Sequence, residues 1–423
     1  FIITMMLGVP IGASLGLAGA AAIALANAEA PWFGLLAVPQ NFYAGLGKYP
    51  LLAIPMFVLV GSIFDRSGVA LRLVNFAIAL VGRGPGMLPL VAICVAMFLG
   101  GISGSGPANA AAVGAVMIAA MNRAGYPASY SASVVGAAAA TDILIPPSVA
   151  FIVYSVLVPG ASVPALFAAG MIPGVLAGIA LIVPAVWMAR KHGMGHLESS
   201  LPRPPLLKSF IEAIWGLAAP VLILGGMRMG WFTPTEAAVV AVFYGLFVGL
   251  FVHRSMTLRD LFPILKESGE LSAVILLVVS LAGIFAFSLS TLGVIDPITR
   301  AIVNSGLGEY GVLALLILML ITIGMFLDGV SIFLIFVPLL WPIVQHYNWD
   351  PVWFGVLLTL KVALGQFTPP LAVNLMVSCR IANVRMEETV RWVGPMLLAM
   401  GLVMVAVIIW PELALWLPRV LGY

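Results

Sequence analysis

The sequence predicts an all-α protein that crosses a membrane many times, and three observations support this fold class. Of the 423 residues, 62% are hydrophobic and only 8% are charged, whereas soluble domains carry about 25% charged residues. Apolar runs of about 20 residues, the length that spans a bilayer core, recur along the whole chain. These runs are continuous rather than alternating, which excludes a transmembrane β-barrel.

The apolar runs predict a series of spans and half-spans. They lie at residues 2–26, 51–64, 87–102, 129–158, 163–189, 212–229, 234–252, 270–290, 310–325, 352–380 and 389–411. The stretch from Arg66 to Arg83 alternates charged and apolar residues at helical spacing, which predicts an interfacial or connecting arm helix. Basic residues cluster from Arg190 to Lys208 and from Arg254 to Lys266, so both segments are expected on the cytoplasmic side.

The two halves of the chain share an ordered set of interruptions. Pro146-Pro147 and Pro369-Pro370 interrupt apolar runs 223 residues apart, and a glycine-rich segment precedes each pair. Paired segments that are interrupted by glycine or proline at corresponding positions indicate the binding site of a transporter. The alternative is a membrane scaffold or enzyme in which these small residues serve only close helix packing.

Each Pro-Pro pair is expected to unwind the helix before it, because proline removes a backbone donor and disfavours helix at the preceding residue. Carbonyl groups freed in this way cost several kcal/mol in hydrocarbon unless they face protein, water or an ion. Freed carbonyls with nearby hydroxyls suit a sodium ion, and free N–H groups at half-helix N-termini suit a carboxylate. The sequence therefore predicts sodium and anion binding at the breaks.

The stretch GGISGSG predicts the tip of a re-entrant helical hairpin, in which glycines permit the turn and serines offer oxygen ligands. Ser103 and Ser105 are the candidate ligands at this tip, with Asn109 and Thr141 as further candidates nearby. In the second half, GMFLDGVS brings Asp328 to the equivalent tip.

Two charged residues inside predicted spans are functional candidates, because a charge within the membrane is costly. Asp142 precedes the first Pro-Pro pair by four residues, and Lys361 precedes the second by eight. Three alternatives follow for Lys361: structural pairing with Asp142 or Asp328, a role in ion or substrate binding, and a position at the water boundary.

Absent motifs exclude several chemistries. The four histidines do not cluster, and neither HExxH, a GKS/T phosphate loop nor CxxC occurs. Cys94 and Cys379 are isolated in apolar runs and are expected to be core side chains. The chain is therefore predicted to be no enzyme, with no cofactor, no metal other than sodium and no nucleic-acid partner.

The motifs GGISGSGPANAAAVG, WFTPTEAA, GMFLDG and GQFTPPLAVNL, in this order, resemble those of the large membrane subunit of tripartite ATP-independent periplasmic (TRAP) transporters, a DctM-like family. The likeness spans nearly the whole chain. It implies an elevator-type ion-transporter fold with inverted repeats, two re-entrant hairpins and two broken helices. It also implies sodium-driven uptake of a small organic acid across the bacterial inner membrane, by movement of a transport domain against a scaffold.

The resemblance also implies partners besides the lipid bilayer. A periplasmic substrate-binding protein (P-type) would deliver the organic acid, and a small four-helix membrane subunit (Q-type), expected as a separate polypeptide, would pair with this chain. The closest alternative is a stand-alone sodium/divalent-anion symporter of the same fold, which needs no binding protein.

The motifs assign candidate ligands residue by residue. The sodium-binding candidates are Ser103, Gly104, Ser105, Ile145, Pro146, Asp328, Gly329, Thr368 and Pro369. The substrate-binding candidates are Asn109, Thr141, Ser148 and Asn374. Lys361 stands where many family members have a neutral, asparagine-like residue, which raises the alternative that a fixed ammonium replaces a sodium ion.

The predicted organisation alternates scaffold and transport parts. Residues 1–84 form an N-terminal scaffold with the arm helix, and 161–305 form scaffold spans, cytoplasmic loops and a second arm. The transport domain combines the first hairpin and broken helix (85–160) with the second hairpin and broken helix (306–382). A C-terminal span occupies 383–423.

Overall fold

The computed structural model describes residues 1–29, 34–81, 84–198, 204–325, 327 and 329–423. Within these ranges the regular structure is helical, without strands, and seven of the described helices are long and apolar enough to cross a membrane. The prediction of an all-α polytopic membrane protein is confirmed. Arg83 and Asp328 lie outside the described residues, as does the side chain of Ser103.

The N-terminal helices follow the predicted spans and arm, with one further helix before the second span. They are α1 (Ile2–Met6), α2 (Ile11–Ala26), α3 (Ala37–Leu46), α4 (Ala53–Arg66) and α5 (Val69–Val81). The single span expected over residues 2–26 is instead two helices, because Gly8 adopts φ +83° and Pro10 precedes α2. Gln40 and Asn41 lower the hydropathy of α3, which is why the apolar pattern did not predict it.

The first hairpin turns back at Gly104 and Ser105, and a broken helix follows it. The elements are α6 (Met87–Ser103), α7 (Gly106–Arg123), α8 (Ala128–Ala139) and α9 (Val149–Leu157). The chain leaves the helix before Pro146 and resumes it where Ser148 accepts a hydrogen bond from Phe151 N at 3.5 Å. The run over 129–158 is thus two half-helices, as the two prolines require.

Five helices connect the first hairpin and broken helix to the second. They are α10 (Val163–Lys191), α11 (Leu206–Arg228), α12 (Pro234–Phe247), α13 (Leu261–Thr291) and α14 (Ile295–Val303). The start of α12 is fixed by a capping box, in which Thr233 and Glu236 each accept a hydrogen bond from the other's backbone N–H.

The second half repeats the hairpin and the broken helix. Its elements are α15 (Gly308–Gly324), α16 (Gly329–His346), α17 (Pro351–Gly365), α18 (Val373–Ala382), α19 (Val390–Ile409) and α20 (Glu412–Leu421). The first four of these begin 221 to 224 residues after α6, α7, α8 and α9. The predicted pair of hairpins and broken helices is therefore confirmed.

The two repeats have opposite orientations, as contacts with α19 show. Trp392, at the start of α19, donates a hydrogen bond to Ser129 Oγ at the start of α8, at 3.3 Å. Trp353, at the start of α17, donates to Val407 O near the end of α19, at 2.9 Å. Since 20 residues of α-helix extend about 30 Å, α8 and α17 begin at opposite ends of the molecule.

The helices pack into two units. We call α2 to α5 with α11 to α13 the scaffold unit, and α6 to α10 with α15 to α20 the hairpin unit. Helix α10, which the sequence analysis grouped with scaffold residues 161–305, packs against α6, α19 and α20 and so lies in the hairpin unit. Residues 383–423 hold two helices, α19 and α20, instead of one span.

Candidate functional site

The tip of the first hairpin packs against the first Pro-Pro break. Gly104 ends α6 with φ +61°, a conformation that glycine adopts without steric cost. A Cβ atom at position 104 would lie 2.8 Å from the carbonyl oxygen of Pro147, so a side chain there would collide with the break. The structure thus brings the predicted tip, Ser103 to Ser105, beside the predicted unwound segment, Ile145 to Ser148.

Hydroxyl groups at the first break bond to carbonyls of the same segment. Thr141 Oγ1 donates to Ala138 O at 2.8 Å, and Ser148 Oγ donates to Ile143 O at 2.6 Å. Both side chains are fully buried. Because a hydroxyl oxygen keeps lone pairs after it donates, each can still accept from a ligand or coordinate a cation.

The second break is held by an amide pair that includes a residue the sequence analysis did not single out. Asn374 donates twice to Gln366, from its backbone N to the carbonyl oxygen at 3.0 Å and from Nδ2 to Oε1 at 3.0 Å. Thr368 Oγ1 donates to Leu364 O at 2.6 Å. The available signal for Gln366 was a polar side chain in an apolar run, three residues before Pro369.

The first hairpin also meets the second break. A Cβ atom at Gly106 would lie 2.7 Å from Asn374 Nδ2 and 2.8 Å from Gln366 Oε1. Asn109, one turn further along α7, donates from Nδ2 to Ala96 O at 2.8 Å. Among the described residues, Asn109 Oδ1 and Asn374 Oδ1 are buried acceptors without a hydrogen-bond partner. Such an atom costs roughly 1–3 kcal/mol, which a bound cation or donor would offset.

The tip of the second hairpin lies over the same region. A Cβ atom at Gly329 would lie 2.6 Å from Val362 Cγ1 and 3.9 Å from Gln366 Nε2. Ser331 is buried one turn of helix nearby. Four predicted elements, two tips and two breaks, therefore converge on one another, although Asp328 itself is outside the described residues.

Asp142 and Lys361 are both buried, but each lies against the first helix of its own hairpin. A Cβ atom at Gly100 would lie 2.9 Å from Asp142 Oδ1, and one at Gly324 would lie 3.9 Å from Lys361 Nζ. Lys361 Nζ has no hydrogen-bond partner among the described residues and forms no ion pair with Asp142. Of the alternatives for Lys361, pairing with Asp142 is thus absent, and 1% exposure of Lys361 is inconsistent with a water boundary.

A cavity of about 410 Å³ separates the converging elements from the scaffold unit. Gly104, Ser105 and Gly329 line its hairpin side, together with Gln366. Its scaffold side, built by α4 and α13, includes Gly61 and Val274. The volume is within the range of about 300–1,000 Å³ that is typical of small-molecule sites.

Two carboxylates that the sequence analysis did not single out stand in the scaffold wall of this cavity. They are Asp65, near the end of α4, and Glu267, near the start of α13. Glu267 Oε2 forms a salt bridge with Arg66 at 2.9 Å, and both partners are partly exposed. The cavity thus extends from the hairpin tips to exposed charged groups at one end of the scaffold unit.

The predicted substrate ligands lie one layer behind this surface. Asn109, Thr141, Ser148 and Asn374 are buried and are not among the residues that line the cavity. Their neighbours Ala108, Ile143, Val149 and Val373 line it instead. Their assignment to substrate binding stays a prediction.

Comparison with known proteins gives a consistent family. Residues 1–413 match the family described as "Tripartite ATP-independent periplasmic transporter, DctM component". The chain is 34% identical over 431 residues to the C4-dicarboxylate TRAP transporter large permease protein DctM of Rhodobacter capsulatus, covering 99% of this chain and 97% of that protein. It is 34% identical over 417 residues to the sialic acid TRAP transporter large permease protein SiaM of Vibrio cholerae, with 98% and 96% covered.

Two further comparisons concern a longer relative and a solved structure. The isethionate TRAP transporter permease protein DctMQ of Oleidesulfovibrio alaskensis is 36% identical over 404 residues, which cover 95% of this chain but 62% of that longer protein. The crystal structure of the Alcanivorax borkumensis YdaH transporter matches with a TM-score of 0.60, covering 92% of this chain and 91% of that one. At 16% identity, this likeness concerns the fold alone.

Proposed function

The chain belongs to the DctM component family of tripartite ATP-independent periplasmic transporters, and from that premise we propose that it takes up a small organic acid, driven by a sodium gradient. It acts as the large permease subunit, in a bacterial inner membrane. Its relatives are named as permeases, in keeping with transport rather than catalysis. Their names specify different organic anions, which supports an acid as the substrate class.

One observation carries the proposal: both hairpin tips and both Pro-Pro breaks converge on a single cavity between two units. Backbone that leaves the helix inside a membrane protein persists where it lines a cavity or binds an ion. The N-termini of α7 and α16 face this cavity through Gly106 and Gly329, and helix N-termini favour negative charge. A carboxylate between the tips would therefore meet two partial positive charges.

Sodium fits the oxygen atoms behind the cavity wall. Asn109 Oδ1 and Asn374 Oδ1 are buried acceptors without a described partner, and the hydroxyls of Thr141 and Ser148 keep free lone pairs. Among the described residues, no cluster of three or more His, Cys, Asp or Glu side chains could hold a metal ion. A hard cation would therefore rely on neutral oxygens, and its charge would offset that of the substrate.

The transport step is a movement of the hairpin unit along the scaffold unit, which carries the cavity across the membrane. The described arrangement corresponds to the inward-facing state, because the cavity reaches Asp65 and Glu267 beside the basic segment that is predicted to be cytoplasmic. Sodium must then change the relative stability of inward and outward states by a few kcal/mol, a typical coupling energy. A periplasmic binding protein delivers the acid, and a small membrane subunit completes the complex.

The test is uptake into proteoliposomes that contain this chain and its small subunit, with the binding protein added outside. Radiolabelled C4-dicarboxylate, sialic acid and isethionate form the first panel, because relatives are named for them. We expect uptake of one organic acid that requires both an inward sodium gradient and the binding protein. Uptake that needs no binding protein would favour the stand-alone symporter, and absence of sodium dependence would refute the coupling.

The sodium assignment has its own variant. Replacing Ser103 and Ser105 by alanine removes two oxygens from the first tip and is expected to abolish sodium-dependent uptake. Ser129→Ala, at a buried serine away from the cavity, is the matched control. Unchanged transport by the double variant would reject the ion site at this tip.

A further inference from the structure

An aromatic side chain closes the base of the first hairpin. Tyr126, in the turn between α7 and α8, accepts a hydrogen bond from Gly86 N at 2.7 Å and donates one to Glu198 Oε2 at 2.5 Å. Glu198 Oε1 in turn accepts from Leu88 N at 3.0 Å. Tyr126 and Glu198 are buried. The start of α6 is thus tied to the end of α7 and to the segment that follows α10.

A second aromatic residue extends this contact into the hairpin unit. Tyr130, four residues after Tyr126, stacks on it with ring centroids 5.8 Å apart. Its hydroxyl donates to Ala185 O of α10 at 2.5 Å. We call Tyr126 and Tyr130 the first clasp, because together they join the hairpin base, the broken helix and α10.

The base of the second hairpin is closed in the same way with different side chains. Trp349, in the turn between α16 and α17, donates from Nε1 to Glu309 Oε1 at 2.8 Å, and Glu309 lies at the start of α15. Trp353 packs edge-on against Trp349 at 6.2 Å and donates to Val407 O of α19 at 2.9 Å. We call Trp349 and Trp353 the second clasp.

The two clasps occupy equivalent positions of the two repeats. Trp349 and Trp353 each lie 223 residues after Tyr126 and Tyr130, the same spacing that separates the two Pro-Pro pairs. In both, the first aromatic bonds to the start of its hairpin, and the second bonds to a backbone carbonyl of the span that follows the broken helix. The residue type changes from tyrosine to tryptophan while the pair of hydrogen bonds is kept, which identifies the bonds as the shared element.

We propose that the clasps are positioning residues, which make each hairpin rigid at its base so that only the tips can part from the cavity. This inference rests on the proposed function, since it concerns how the hairpins behave during transport. Buried hydrogen bonds are costly to break without replacement, so opening a hairpin from its base would lose several at once. Gating is then confined to the tips and to the gap between the two units, and the hairpins travel with α10 and α19.

A disulfide at the first base tests this rigidity directly. A Cβ atom at Gly86 would lie 3.5 Å from Val186 Cβ in α10, within the range of about 3.5–4.5 Å that disulfides need. The variant is Gly86→Cys with Val186→Cys, in a background in which the free Cys94 and Cys379 are alanine. We expect the oxidised protein to keep at least about half of the uptake rate of the reduced protein. Loss of uptake on oxidation, restored by reductant, would overturn the proposal.

A second cross-link separates this outcome from the proposed function. A Cβ atom at Gly101 would lie 3.6 Å from Pro220 Cβ, so Gly101→Cys with Pro220→Cys joins α6 of the hairpin unit to α11 of the scaffold unit. Its oxidation is expected to stop uptake, because the units can no longer move past each other. If it did not, the movement in the proposed function would fail, while tolerance of the base cross-link would still support the rigid base.

The second clasp is tested at an exposed position that tolerates substitution. Glu309→Leu removes the acceptor of Trp349 Nε1, whereas Glu309→Gln keeps it. With the acceptor lost, we expect sodium leak without substrate to rise about fivefold, the factor for one hydrogen bond, and we expect no rise for the glutamine variant. Equal leak in both variants, at matched amounts of folded protein, would contradict a positioning role for the clasp.

Discussion

The two Pro-Pro breaks share a backbone plan but differ in side-chain chemistry. At the first break, the hydroxyls of Thr141 and Ser148 donate to carbonyls of their own segment, and the buried charge is Asp142. At the second break, the amide pair of Gln366 and Asn374 reaches across to the first hairpin, and the buried charge is a lysine.

This difference indicates that the repeat fixes geometry while the side chains specialise. Backbone features recur at a spacing of about 223 residues, because glycine and proline impose them wherever they stand. Bonding partners do not recur, so the two breaks are not interchangeable. We expect the first break to depend mainly on close backbone packing, and the second to depend on amide and ammonium groups.

The largest effect is expected at the first break, from Gly104→Ala. The change adds left-handed strain of about 1–2 kcal/mol and a clash with Pro147 O, which together correspond to at least about a tenfold loss of uptake. Gly160→Ala is the matched control, because Gly160 has φ +87° with no atom within 4 Å of its Cβ position. Equal loss in both variants would show that strain alone matters and that the tip contact with the break is dispensable.

The next effect is expected at the second break, from Lys361→Asn. If the buried ammonium replaces one sodium ion, its removal opens a site for that ion, and one more sodium should accompany each substrate molecule. The ratio is measured from the sodium gradient that balances uptake at equilibrium. Asp142→Asn removes the corresponding charge of the first half and should add no sodium. Unchanged sodium dependence in both Lys361→Asn and Lys361→Ala would make the lysine structural.

A moderate effect is expected from Gln366→Leu, which tests the amide pair. The substitution leaves Asn374 Nδ2 without its acceptor, at a cost of roughly 1–3 kcal/mol. We expect the apparent KM for substrate to rise by about tenfold while the protein still folds, measured by uptake at saturating sodium. Gln345→Leu, the same substitution at an exposed residue of α16, is the control. A KM shared by both variants would exclude the pair from the site.

Local chemistry made the breaks and the tips predictable from the sequence. Proline unwinds a helix and glycine permits a turn in any surroundings, so Pro146, Pro369 and Gly104 identified their own roles. The order of elements followed from the repeated spacing. Span bounds followed from hydropathy, except where polar residues in α3 obscured the pattern.

Contacts between distant segments could not be predicted in this way. Gln366 meets Gly106 across 260 residues, and no local pattern encodes that approach. Asp65 and Glu267 lie in segments that resemble ordinary cytoplasmic ends of spans, and only packing brings them to the cavity. The position of α10 in the hairpin unit has the same cause, since its apolar composition would suit either unit equally.

The smallest effect is expected from Thr141→Val at the first break. The hydroxyl donates to Ala138 O in the preceding turn and does not line the cavity, so its loss removes a local bond of about 1 kcal/mol. Because that carbonyl accepts this bond in addition to its backbone surroundings, we expect KM for substrate to change by less than about twofold, with a small fall in thermal stability. Ser148→Ala should behave alike, apart from the cap it provides to α9. A tenfold rise of KM in Thr141→Val would instead make this hydroxyl a ligand, and the contrast between the two breaks would then be lost.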